Sequence, residues 1–160
     1  MNESRTMSLK NAHQSSGVDE AALVPVSPGG TYRTVRRAGG TVYLSGQGPM
    51  KSDGTFHAGK VGTDIDIPEA YQHARLVARQ MLATMEDAGF DLERIEVVKV
   101  FGMVNAAPRF EEHPAVINGC SDYLVERLGE RGEHARSAVG MGSLPHNMTV
   151  EIEAIFRLLD

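Results

Sequence analysis

The stretch that most limits the fold of this 160-residue chain is its end, TVEIEAIF at 149–156. Val150, Ile152, Ala154 and Phe156 share one side of it, while Glu151 and Glu153 fall on the other. A period of two is what a strand with a single buried face requires. Just upstream, ARSAVGMG (135–142) reads as a second strand, and the two look like a hairpin closed by a short turn. A charge inside a packed sheet is costly unless it is paired, solvated or used on a ligand. Arg136 and Glu151 therefore have two open readings, an ion pair across the hairpin or groups turned toward a ligand. Glu153 reads as a solvated or ion-paired strand residue. Glu151 and Glu153 sit roughly 7 Å apart on one strand, but two such carboxylates cannot flank a sugar from opposite faces, so they do not form a glycosidase pair.

The rest of the chain supplies the partners of that strand. TYRTVRRA and TVYLSG, separated by Gly39-Gly40, read as a hairpin. A short third strand is expected near Ala58–Val61. A helix starts around Asp66–Glu69, where an aspartate and Pro68 supply start signals. Its apolar stripe is Ala70, Ala74, Val77, Met81, Met85 and Ala88, and Gly89 stops it. IEVVKVFGMVNA is a β-prone strand. A second helix runs from Pro114 to Gly129 and buries Val116, Ile117, Cys120, Leu124 and Leu128. Residues 1–30 form an arm, partly disordered, because its first 17 residues are polar and aperiodic. Residues 31–160 form one domain. The order of strands, helix, strand, helix and two strands predicts an α+β fold, a mixed sheet with both helices on one face. The other sheet face needs cover, which an oligomer would supply.

Charge and composition exclude several functions. Sixteen basic against 21 acidic residues leave a net charge of −5, which argues against a nucleic-acid protein. Arg33, Arg36 and Arg37 read as a solvated strand face. The single cysteine, Cys120, forbids an internal disulfide and fits a reducing, cytoplasmic setting; on the buried stripe of the second helix it reads as core rather than nucleophile. No stretch approaches the length of a membrane span. The six histidines show no paired ligand spacing, so no metal site is expected. Gly46-Gln47-Gly48 lacks the third glycine and the helix of a dinucleotide loop and reads as a tight turn.

"ARSAVGMGSLPHNMTVEIEAI" resembles the signature of the Rid family (YjgF-like reactive-intermediate deaminases): an Ala-Arg-Ser strand, a Leu-Pro turn, then Glu-Ile-Glu-Ala-Ile. The likeness extends to "VYLSGQGP", "VKVFGMVN" and "VINGCSDYL", and covers roughly residues 31–157. The resemblance implies a chorismate-mutase-like domain assembling as a homotrimer with clefts between subunits. It further implies that Arg136 grips a substrate carboxylate, as a planar guanidinium is suited to do, and that Glu151 positions water. Tyr32, Ser45, Gly46, Asn118 and Ala138 fall at positions that line or support the cleft. The implied chemistry is hydrolysis of a small enamine or imine bearing a carboxylate to a 2-keto acid and ammonia, with no metal or organic cofactor and no membrane or nucleic-acid partner. A non-catalytic trimer binding small carboxylates is the alternative, and endoribonuclease activity, a name some relatives carry, is a weaker third. Two signature positions depart from the pattern. His134 stands where a proline or alanine is usual, and Ala138 replaces a cysteine, leaving room for a different substrate.

Overall fold

The structure is a computed structural model that describes residues 27–160. The expected arm falls largely on residues 1–26, outside the described residues. Five strands and two α-helices follow in the order β1 (Val35–Ala38), β2 (Thr41–Gln47), α1 (Ile67–Asp87), β3 (Ile95–Asn105), α2 (His113–Leu128), β4 (Ala135–Met141) and β5 (Val150–Leu158). They form one mixed sheet in the order β1-β2-β5-β3-β4. Every neighbouring pair is antiparallel except β3 and β4.

Local chemistry explains the boundaries. Ala38 pairs with Thr41 across Gly39-Gly40, and the φ of +62° at Gly39 suits a residue without Cβ. The Asp66 side chain caps α1 by accepting the N–H of Glu69 at 2.9 Å. Gly89, at φ +87°, ends that helix, and Gly129, at φ +63°, ends α2. The α1 stripe is buried as its spacing predicts, apart from Ala88, which is the exposed C-cap. The five expected α2 residues are all buried. Both stripes meet Val42, Leu44, Val100, Val104, Val150, Ile152 and Phe156 in one core. The opposite sheet face carries Tyr43, Phe101, Met103, Val139 and Ile155, none fully buried, and neither α-helix lies on it.

Three expectations change. First, β4 and β5 are not a hairpin. β5 is the middle strand, with both edges occupied by β2 and β3, so β4 joins the free edge of β3 in parallel after the α2 crossover. Second, no strand forms at Ala58–Val61. Single bridges, Ala58 to Met148 and Val61 to Ala106, tie that loop to the sheet instead. Third, Gly46-Gln47-Gly48 is no tight turn but the end of β2, where three residues from Leu44 to Gln47 span two on β5. The extra residue is a β-bulge at Ser45-Gly46.

Candidate functional site

Arg136 belongs to β4, in register with the buried Val100 of β3, so it points to the helix side of the sheet. There its Nη1 donates to Asn118 Oδ1 at 2.9 Å and to Ser121 Oγ at 3.0 Å, both on α2. Asn118, read from the resemblance as a residue that lines or supports the cleft, thus lies against Arg136. Both Nη1 hydrogens are thereby used. Among the described residues, Nε–H and Nη2–H have no partner, and no carboxylate pairs with Arg136. Those two hydrogens lie on one edge of the guanidinium and match the two oxygens of a carboxylate. Arg75, Arg131 and Arg157, by contrast, are neutralised by Glu126, Glu93 and Glu96. Ala138 follows on the same face of β4, opposite Gly102. Cys120, fully buried beneath, has its thiol pushed up to about 12 by burial, which makes it core and not a nucleophile.

A second group gathers around the bulge. Glu151 alternates with the buried Val150 and Ile152 and so points to the opposite face of the sheet. Its carboxylate lies against Gly46. A Cβ there would overlap Oε1 and stand 3.0 Å from the carboxyl carbon. The glycine leaves room for the carboxylate in this position, which a side chain at 46 would push aside. Burial of Glu151, helped by the like charge of Glu153, raises its pKa above the ordinary carboxylate range. Ser45, beside Gly46, donates its hydroxyl to Arg33 O at 2.8 Å and its N–H to Thr34 O at 2.9 Å. It holds the segment leading from Tyr32. Tyr32 is 52% exposed, and its hydroxyl accepts from Gly29 N–H at 3.1 Å. Glu153 is exposed, as a solvated strand residue would be.

These two groups stay separate within one chain. β3 lies between β4 and β5, and Arg136 aligns with Val100 whereas Glu151 aligns with Met103. The offset is roughly 10 Å along the strands and roughly 10 Å across them, on opposite faces. An Arg136–Glu151 ion pair across a hairpin is therefore ruled out by topology. Two further polar residues at the arginine were not singled out as site residues from the sequence. Ser121 bonds Arg136, and His134 Nε2 lies 2.9 Å from Ser121 Oγ. The readable signal was spacing, since Ser121 follows Asn118 by three and shares its helix face.

What the fold and the arginine edge define is an α+β domain with an anion-ready guanidinium at one sheet edge and a half-buried carboxylate on the other face. The family model described as Endoribonuclease L-PSP matches residues 23–157, and the chain belongs to that family, the YjgF/RidA family. It is 36% identical to Protein TCP17 of Trypanosoma cruzi over 134 residues, 82% of this chain and 84% of that protein. Among solved structures, Atu1372 of Agrobacterium tumefaciens, described as of unknown function, is 42% identical with a TM-score of 0.76, covering 80% of this chain and 84% of that one. RidA of the Antarctic bacterium Psychrobacter is 28% identical with a TM-score of 0.61, covering 86% and 96%. The resemblance read from the signature strands is borne out. Among the described residues, no helix is long and apolar enough to cross a membrane.

Proposed function

We propose that this protein is a hydrolytic deaminase of small enamines or imines that carry a carboxylate, releasing a 2-keto acid and ammonia. The observation that carries this reading is the unpartnered Nε/Nη2 edge of a half-buried arginine whose other nitrogen is fixed by neutral oxygens. Such an edge takes up one carboxylate side-on, with two parallel hydrogen bonds. In the reaction, an enamine first tautomerises to the imine, whose C2 is electrophilic. Water adds to C2 while Glu151 accepts a proton from it. The imine nitrogen is protonated as the water adds, so the carbinolamine is neutral. It collapses as the carbon–nitrogen bond breaks and the proton held by the Glu151 carboxyl passes to the departing nitrogen. The carbinol hydroxyl gives its proton back to the Glu151 carboxylate as C2 becomes a ketone. A raised pKa suits a group that must first take up a proton and then give it back. Imine hydrolysis needs little acceleration, so holding the carboxylate and the water together supplies much of the rate.

Arg136 and Glu151 lie on opposite faces of one chain, so this reading requires a site shared between subunits. The apolar residues Phe101, Met103, Val139 and Ile155 on the sheet face away from α1 and α2 support assembly, and a homotrimer with three inter-subunit clefts is the assembly we propose. The test is release of 2-keto acid and ammonia from freshly generated 2-aminoacrylate. Wild-type protein is expected to turn over, and Arg136→Ala to lose at least about 100-fold in kcat/KM, the scale of a charge-assisted bidentate contact. Binding of pyruvate through Arg136 without turnover would make the protein a carboxylate sensor. Cleavage of RNA that survives Arg136→Ala would overturn the carboxylate reading altogether.

A further inference from the structure

We propose that His134 and Ser121 form a positioning relay that holds the Arg136 edge toward the substrate carboxylate without neutralising it. The proposal rests on the reading of Arg136 as the carboxylate clamp, and it identifies two residues that set how that clamp is oriented.

The relay runs in one direction. His134 Nδ1 lies 2.6 Å from Gly132 O, a carbonyl that can only accept, so Nδ1 carries the proton. Nε2 is then the acceptor for the Ser121 hydroxyl, 2.9 Å away. Having donated its hydrogen, Ser121 Oγ presents its lone pairs to Arg136 Nη1 at 3.0 Å. Asn118 Oδ1 accepts the other Nη1 hydrogen. Every donor meets one acceptor, and the neutral Nδ1–H tautomer is the form that completes the chain. Burial, together with the adjacent charge of Arg136, holds the His134 pKa below its ordinary value, against the opposing pull of the Gly132 carbonyl.

The local backbone is built for this contact. Gly132 ends the 3-10 turn Gly129–Gly132, where a Cβ would overlap the Leu124 carbonyl of α2. Its absence lets the turn press onto the helix, which brings His134 beside Ser121. The electrostatic logic is equally specific. A carboxylate in place of Ser121 or Asn118 would fix Arg136 more strongly, but it would also compete with the ligand. Neutral acceptors orient the guanidinium and leave its full charge available. With the Nη1 end closed on both hydrogens, the free edge has room for a single side-on carboxylate.

The test compares wild type, Ser121→Ala, His134→Ala, His134→Gln and Arg136→Ala in 2-aminoacrylate turnover and in pyruvate binding by calorimetry. Ser121→Ala and His134→Ala are expected to raise KM and the pyruvate Kd about tenfold while kcat changes less than about threefold, the pattern of a misoriented binding group. His134→Gln, whose amide oxygen can accept from Ser121, is expected to stay within about twofold of wild type on both. Nitrogen-15 NMR of the wild-type imidazoles is expected to show His134 neutral with the proton on Nδ1. If the Ser121 and His134 variants bind and turn over like wild type while Arg136→Ala does neither, the relay is wrong and the clamp stands. A loss that only follows the folded fraction, with KM unchanged, also overturns the relay, as does a His134 protonated on Nε2. If Arg136→Ala binds pyruvate as well as wild type does, the clamp reading itself fails.

Discussion

At the scale of single residues, Glu151 and Gly46 show how a side chain's surroundings set its chemistry. The sequence places Glu151 on the sheet face opposite the core, where an ordinary surface carboxylate is expected. The bulge in β2 brings Gly46 against it, and the backbone there takes the place of water around the carboxyl group. Desolvation is the larger cause of its raised pKa, and the neighbouring Glu153 charge adds to it. The sign of a test follows. If the ionised form of Glu151 accepts the proton from water, kcat/KM falls on the acid side as Glu151 protonates. Glu153→Gln removes the like charge, lowers the Glu151 pKa, and is expected to move that acid limb to lower pH. A pH profile of both proteins decides it, and a limb that stays in place or moves upward would contradict the assignment.

At the scale of elements, the two α-helices approach closely because α2 carries a glycine at the contact. A Cβ on Gly119 would overlap the Tyr71 carbonyl oxygen of α1 and stand 2.9 Å from its carbon and 3.1 Å from Arg75 N. These are backbone atoms and cannot rotate aside. Gly119→Ala is therefore expected to destabilise by about 3 kcal/mol through overpacking, in spite of alanine's better helix propensity. Chemical denaturation would measure this, and an unchanged or higher midpoint would refute the close packing. Asn118 and Ser121, on either side of Gly119 in the same helix, reach Arg136 on β4. In β3, an extra residue opposes β5 between Val97 and Lys99, and the buried series changes from Ile95 and Val97 to Val100, Gly102 and Val104. The exposed Val98 marks the bulge. Its β-prone composition announced the strand; only pairing with β5 revealed the shift of face.

At the scale of the molecule, the separation of Arg136 from Glu151 makes a clear prediction for the assembly we propose. Arg136→Ala and Glu151→Gln proteins are each expected to be nearly inactive. Unfolded together in equal amounts and refolded, they would form mixed trimers in which about one cleft in four unites an intact arginine with an intact glutamate from the neighbouring chain. About a quarter of wild-type activity should then return. No recovery, in mixtures shown by mass spectrometry to have exchanged, would mean that the cleft is not shared.

The sequence by itself determined the two α-helices with their buried stripes and the alternating face of β5. Local periodicity, the Asp66 cap and the glycines at 39, 89 and 129 report short-range energetics that need no knowledge of the partner strand. It also pointed to Arg136 and Glu151, because a charge among alternating apolar residues needs an explanation wherever the strand lies. Strand order was decided only in three dimensions. A terminal segment can pair with whichever edge buries its apolar face best, and β5 gained two neighbours by entering between β2 and β3, where a hairpin with β4 would have joined the strands adjacent in sequence. That choice placed the arginine and the glutamate on opposite faces. Spacing puts Ser121 on the Asn118 face of α2, but its contact with Arg136, and that of His134 with Ser121, depended on the packing of α2 and its following turn against β4, a long-range geometry.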